Sequence, residues 1–149
     1  MTFMQVSTQF TISIHILAYV ALYQDKQKVT SDVLAGSIQV NPVIIRRLLS
    51  RLKNHGMITV HRGTGGTFLA KKPSEITFLD VYNAAENLKK EGLFHFHEHP
   101  NPACPVGRDI HHALDGKLAE VQKAFEDKLA TYTLQDVLGD MEQIESAAR

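Results

Sequence analysis

"NPVIIRRLLSRLKNHGMITVHRGTGGTFLAKKP", residues 41–73, changes its hydrophobic period at Gly56. Before that point the stretch is helical. Asn41 suits an N-cap, Pro42 suits the first turn, and Gly56 suits a left-handed C-terminal cap, so a helix is predicted over 42–54. Beyond it, Met57–His61 and Thr67–Lys71 are short runs rich in Thr, Val and Phe around the turn "RGTGG". That pattern predicts a β-hairpin. The helix has two faces. At about 100° per residue from Arg46, Ile45, Leu48, Leu49 and Leu52 fall between roughly 200° and 300°. Val43, Arg46, Arg47, Ser50, Arg51, Lys53 and Asn54 fall on the other side. One face is built for a core. The other is cationic and polar, fitted to a major groove, where arginine pairs with guanine edges and lysine or serine holds phosphates.

Upstream, "STQFTISIHILAYVALYQ" is apolar nearly all round and predicts a buried helix over about 7–24, with His15 as a satisfied core or interface residue. "KVTSDVLAGSI" offers Thr30 or Ser31 as an N-cap for a short helix over about 31–37. Ala35 is small where two helices must cross, and Gln39 stands where a tight turn favours glycine. Helix, short helix, turn, basic helix and hairpin is the element order of a winged helix-turn-helix. The predicted fold class is therefore mostly α with a small two-stranded β wing, followed by a long C-terminal helix. The predicted DNA contacts are Ser31, Asn41, Pro42, Val43, Arg46, Arg47, Ser50, Arg51 and Lys53, with His61, Arg62 and Thr64 at the wing tip. "RGTGG" is not a nucleotide cradle, because its glycines join two strands and no Gly-Lys-Ser/Thr follows.

Charge agrees with a polyanion partner. The 149 residues are neutral overall, with 16 basic and 16 acidic side chains. Residues 1–75 carry nine Lys and Arg against three acids, or +6, which leaves 7 and 13, or −6, for residues 76–149. No apolar run reaches the roughly 18 residues of a membrane span, and no basic leader opens the chain. A single cysteine fits a reducing cytoplasm. No nucleophile–base pair or carboxylate dyad points to an enzyme, and no cofactor is expected.

Downstream, Thr77 and Asp80 form the ends of a capping box ahead of "FLDVYNAAENL". From Asp109 to about Thr131 one long helix is predicted, with Ile110, Leu114, Leu118, Val121, Phe125 and Leu129 in a narrow apolar stripe. Such a stripe can pack on its own domain or on a partner helix. "TLQDVLGDMEQIESAAR" predicts a last helix.

"RGTGGTFLAKKPSEITFLDVYNAAE" resembles the wing and following helix of the Rrf2 family of bacterial winged-helix regulators, which includes IscR, NsrR and CymR. Arg62, Gly63, Gly65, Gly66, Leu69, Ala70, Pro73, Ile76, Thr77, Asp80 and Val81 carry the match, with one glycine shifted by a position. "FTISIHILAYVAL" and "VIIRRLLSRLKNHGMI" are similar to the family's first and recognition helices. "NPACPVG" resembles a YwnA-like subgroup without a cluster motif. The resemblance implies a homodimeric regulator of double-stranded DNA, a repressor, paired through the long helix at Ile110, Leu114, Leu118, Val121 and Phe125. It divides the chain into a DNA-binding domain over 1–87, a sensor loop over 88–106, and a dimerisation and C-terminal segment over 107–149.

The sensor loop overlaps "EGLFHFHEHPNPACPVGRDIHHAL", residues 91–114, which holds five of the eight histidines and the sole cysteine. Family members that hold an iron–sulfur cluster supply three closely spaced cysteines in this loop, and this chain supplies Cys104 alone. No metal is expected, although His95, His97, His99 and Cys104, with His111 or His112, are the residues that could chelate one. Cys104, just ahead of the long helix, is the expected sensor, because a thiolate there can be oxidised or thiolated reversibly. The effector, whether a small molecule or an oxidant, has no signature in the sequence. The rival readings are a metal-responsive regulator that uses the His/Cys loop, and a winged-helix module that binds another protein.

Overall fold

The computed structural model describes residues 7–63, 65–86 and 93–148. Helix α1 (Thr8–Tyr23) is followed by α2 (Ser31–Ile38) and α3 (Pro42–Asn54). Strands β1 (Ile58–His61) and β2 (Gly66–Leu69) form the hairpin, and a short 3-10 turn (Pro73–Glu75) leads to α4 (Phe78–Glu86). The chain ends with α5 (Pro105–Leu129) and α6 (Leu134–Ala147). Among the described residues, no helix is long and apolar enough to cross a membrane.

Local chemistry sets these boundaries. Ser7 caps α1, Thr30 caps α2 and Asn41 caps α3, each accepting a backbone N–H through its side-chain oxygen. Gly56, at φ +77°, lets α3 end in a Schellman motif: the Gly56 N–H donates to Lys53 and the Met57 N–H to Leu52, both at 3.0 Å. The Thr77–Asp80 capping box forms in both directions at 3.1 Å. The strands pair antiparallel, with Ile58 opposite Leu69 and His61 opposite Gly66.

The core gathers Ile16, Leu17 and Val20 of α1, Leu34 of α2, and Ile45, Leu48 and Leu52 of α3 with Ile58, Ile76 and Val81. The four apolar residues predicted for the inner face of α3 are all buried. Leu134 belongs to the same core, and the bridge between Thr77 and Thr133 ties the start of α6 to the residue ahead of α4. The last helix thus shares the core of the winged helix, although the sequence grouped it with the dimerisation segment.

One feature of α1 differs from expectation, and one of α2 agrees with it. α1 is not buried all round: His15 is exposed, and its Nε2 lies 3.0 Å from the Ser37 hydroxyl, because α2 covers only one side of the helix. Gln39 occupies the left-handed region at φ 62° and ψ 49°, where its N–H closes α2 on the Ala35 carbonyl at 2.8 Å. The long helix starts at Pro105, four residues earlier than predicted, with the proline at its first position, where a missing N–H costs nothing.

Candidate nucleic-acid interface

The cationic face of α3, the start of α2 and the wing enclose one groove of about 430 Å³. Ser31, Arg46, Ser50, Lys53, His61 and Arg62 line it, so six of the predicted DNA contacts converge there. Arg46, Ser50 and Lys53 fall within a sector of about 60° on a helical projection, so they share one face along α3. Asn41 and Val43 are exposed at the start of α3, where Asn41 Oδ1 accepts the Val43 N–H at 2.8 Å, and Pro42 beside them is half-buried. Arg47 is exposed but lies outside the groove. Thr64 lies outside the described residues.

Arg51 stands apart from the other predicted contacts. It is half-buried, and its Nη1 donates to Gln9 Oε1 at 2.8 Å and to the Ala85 carbonyl at 2.7 Å. The reason is angular: Arg51 projects about 140° from Arg46, at the edge of the apolar sector, where α1 and α4 come within reach.

Sequence reasoning missed Lys28 and the seat of the wing. Lys28 Nζ donates to the Gly63 carbonyl at the hairpin turn, and the Thr67 N–H donates to the Val29 carbonyl at 3.0 Å. Gly66, at φ +84°, sits so close that a Cβ there would lie 3.0 Å from the Val29 nitrogen. The wing is therefore fixed against the segment ahead of α2. The repeated glycines of "RGTGG" signalled a close approach, but not its partner.

The loop of residues 93–104 packs along α5. The Leu93 N–H donates to Gln122 Oε1 at 2.7 Å. His97 lies against His111 with ring centroids 5.1 Å apart, and Phe96 meets the same imidazole edge-on at 6.3 Å. His111 Nδ1 is 3.0 Å from Asp115 Oδ1. The hydrogen bond to Asp115 raises the His111 pKa above the ordinary histidine value, with help from the Asp115 charge and the His97 backbone and partial opposition from desolvation. His99 is exposed in the left-handed region at φ 56° beside Glu98. Cys104 is exposed and occupies the N-cap of α5 without a side-chain cap bond. Asn101 builds the entry to α5: its Oδ1 accepts the Ala103 N–H at 3.0 Å, and a Cβ on Gly107 would lie 2.4 Å from its carbonyl oxygen.

Among the described residues, no three His, Cys, Asp or Glu side chains are grouped to hold a metal ion. His95, His97 and His99 line one cavity with His111 and Asp115, and Cys104 is not among its lining residues. The predicted dimerisation residues Ile110, Leu114, Leu118 and Phe125 are half-buried and Val121 is 51% exposed. No residue of α5 is buried in the single chain. Phe125 meets Tyr82 of α4 edge-on at 5.3 Å.

A recognition helix, a docked wing and a cationic groove between them define a winged helix-turn-helix, and with the comparisons below a DNA-binding transcriptional regulator rather than an enzyme. Residues 6–140 match the Rrf2 family, described as "Iron-dependent Transcriptional regulator". The chain belongs to that family. It is 39% identical over 136 residues to YwnA of Bacillus subtilis, named as an HTH-type transcriptional regulator, covering 91% of this chain and 98% of that protein. The crystal structure of a protein described as DNA-binding is similar at 36% identity and a TM-score of 0.68, covering 87% of this chain and 98% of the other. The T. potens IscR structure is similar at 22% identity and a TM-score of 0.68, covering 94% of this chain and 90% of that one. The donor set does not fit the iron of the family description as a cysteine-bound cluster. Such clusters are held by several thiolates, and the sequence has one cysteine.

Proposed function

We propose that the protein is a sequence-specific regulator of cytoplasmic duplex DNA that acts as a homodimer and represses transcription. α3 enters the major groove with Arg46, Ser50 and Lys53 toward the bases and phosphates, and His61 and Arg62 follow the backbone or the minor groove. The observation that carries this reading is the convergence of three elements on one groove lined by those side chains. Two copies joined along α5 present two such grooves to a palindromic site. The 25-residue helix with no buried side chain supports that pairing, since Val121 and its neighbours otherwise leave an apolar stripe in water.

Cys104 is the proposed redox-responsive position. It is exposed at the first turn of the helix assigned to pairing, so added bulk or charge there shifts the relation of the two reading heads. With one cysteine per chain, the modified form is a sulfur acid, a mixed disulfide or a bridge between subunits.

Selection of bound duplexes from random DNA tests the function. The expected outcome is one enriched palindromic sequence, lost from oxidised wild type, retained by oxidised Cys104→Ser and restored by dithiothreitol. Equal behaviour of both proteins under oxidant removes Cys104 from the mechanism. Binding of another protein with no duplex enriched supports the interaction-module reading instead. Light scattering tests the pairing. Wild type is expected as a dimer at micromolar concentration and Val121→Glu as a monomer with weaker DNA binding; a monomeric wild type contradicts it.

A further inference from the structure

α4 stands between the recognition helix and the long helix, and both attach to it through named side chains. On one side, Arg51 in the last turn of α3 donates from a single Nη1 to the Ala85 carbonyl of α4 at 2.7 Å and to Gln9 Oε1 of α1 at 2.8 Å. Beside it, the Ser7 backbone N–H and hydroxyl donate to Glu86 Oε1 at 3.1 and 2.8 Å. The start of α1, the end of α3 and the last described turn of α4 therefore form one polar knot. One turn earlier on α4, Tyr82 is 1% exposed and meets Phe125 of α5.

A guanidinium held by two directed acceptors in a half-buried site is oriented, not free to reach a phosphate. It also tends two groups that would lose a partner without it: a backbone carbonyl close to the described end of a helix, where cations are favoured, and a half-buried amide. Arg46 and Lys53, on the same helix, line the cationic groove, and neither has such a tie to another described residue.

We propose that Arg51 is a positioning residue that couples the angle of the recognition helix to α4, and through Tyr82 and Phe125 to α5, and that it makes no DNA contact. This rests on the reading of α3 as the DNA-reading helix. The consequence is reciprocal: DNA on α3 stiffens the end of α4, and any change that moves α4 alters DNA affinity.

Two measurements on the full-length chain test this with a duplex selected for binding. The first is the slope of log affinity against log salt. Arg51→Met keeps the aliphatic stem and removes both hydrogen bonds. Its slope is expected to equal the wild-type slope, whereas loss of one phosphate contact lowers it by about 0.9. The second is amide hydrogen exchange at Ala84–Glu86 with and without the duplex. DNA is expected to slow wild-type exchange there by about fivefold or more, the low end of usual coupling between sites. In Arg51→Met that DNA-dependent slowing is expected to vanish. Gln9→Leu, which leaves α3 intact, is expected to reduce it in the same direction and keeps the test open if Arg51→Met fails to fold. A slope lowered by about 0.9 overturns the proposal. So does faster exchange of Arg51→Met by an equal factor with and without DNA, the mark of a purely structural role. Wild type that binds no duplex overturns both this proposal and the regulator reading; wild-type binding with a lowered Arg51→Met slope overturns this one alone.

Discussion

The Thr67 amide donates to the Val29 carbonyl at 3.0 Å, and with the Lys28–Gly63 bond it joins the wing to the segment that starts α2. Both ends of the groove are thereby held by the same few residues. Val29 leads into the Thr30 cap, and Thr67 leads out of the hairpin turn that presents His61 and Arg62. The wing is a fixed wall of the groove, so its placement can be tested by stability as well as by binding.

Gly66→Ala is the direct probe. The position has φ +84°, and a Cβ would meet the Val29 nitrogen at 3.0 Å and its carbonyl oxygen at 3.1 Å. Strain and crowding add, and the expected loss is about 1 to 3 kcal/mol in urea unfolding, with weaker DNA binding from a displaced wing. Wild-type stability and affinity in the variant would mean that the wing is not seated there.

Gln39→Gly should act in the opposite sense. A non-glycine residue at φ 62° carries left-handed strain, while glycine keeps the N–H that closes α2 on Ala35. Relief of about 1 kcal/mol is partly offset by the greater freedom of glycine in the unfolded chain, so a net gain of roughly 0.5 kcal/mol is expected. The midpoint of chemical unfolding reads it, and a lower midpoint refutes the strain.

His111 gives the loop a pH dependence of known sign. Its folded pKa is raised, first by the hydrogen bond to Asp115. The stabilising contribution is therefore complete below the unfolded value, about 6.5, and is lost as pH rises through the folded value. NMR titration of the imidazole should show the raised value in wild type and a fall toward the ordinary one in Asp115→Asn. An unchanged His111 titration in that variant would remove Asp115 as the cause.

Local chemistry made most of the fold legible. Asn41, Thr77 with Asp80, and Gly56 each decide a boundary through atoms a few residues away, so their roles follow from spacing alone. The inner face of α3 was legible because periodicity encodes burial. Arg51 was not, since its direction depends on Gln9 and Ala85, 42 and 34 residues distant. Lys28 escaped notice for the same reason: its partner, Gly63, lies 35 residues on. In the loop, the sequence grouped the histidines by alternation. The structure pairs His97 with His111 of α5, a pairing set by how the loop lies on that helix.

In the proposed function, Arg46 reads duplex DNA from the groove between α3 and the wing. Fluorescence anisotropy with a selected duplex and a scrambled one, across a salt series, measures this. The predicted result is a steep loss of wild-type affinity with salt, and Arg46→Ala weakened by about 1 to 3 kcal/mol on the selected duplex with less discrimination against the scrambled one. Equal affinity of wild type and Arg46→Ala for both duplexes, with no dependence on salt, would contradict it.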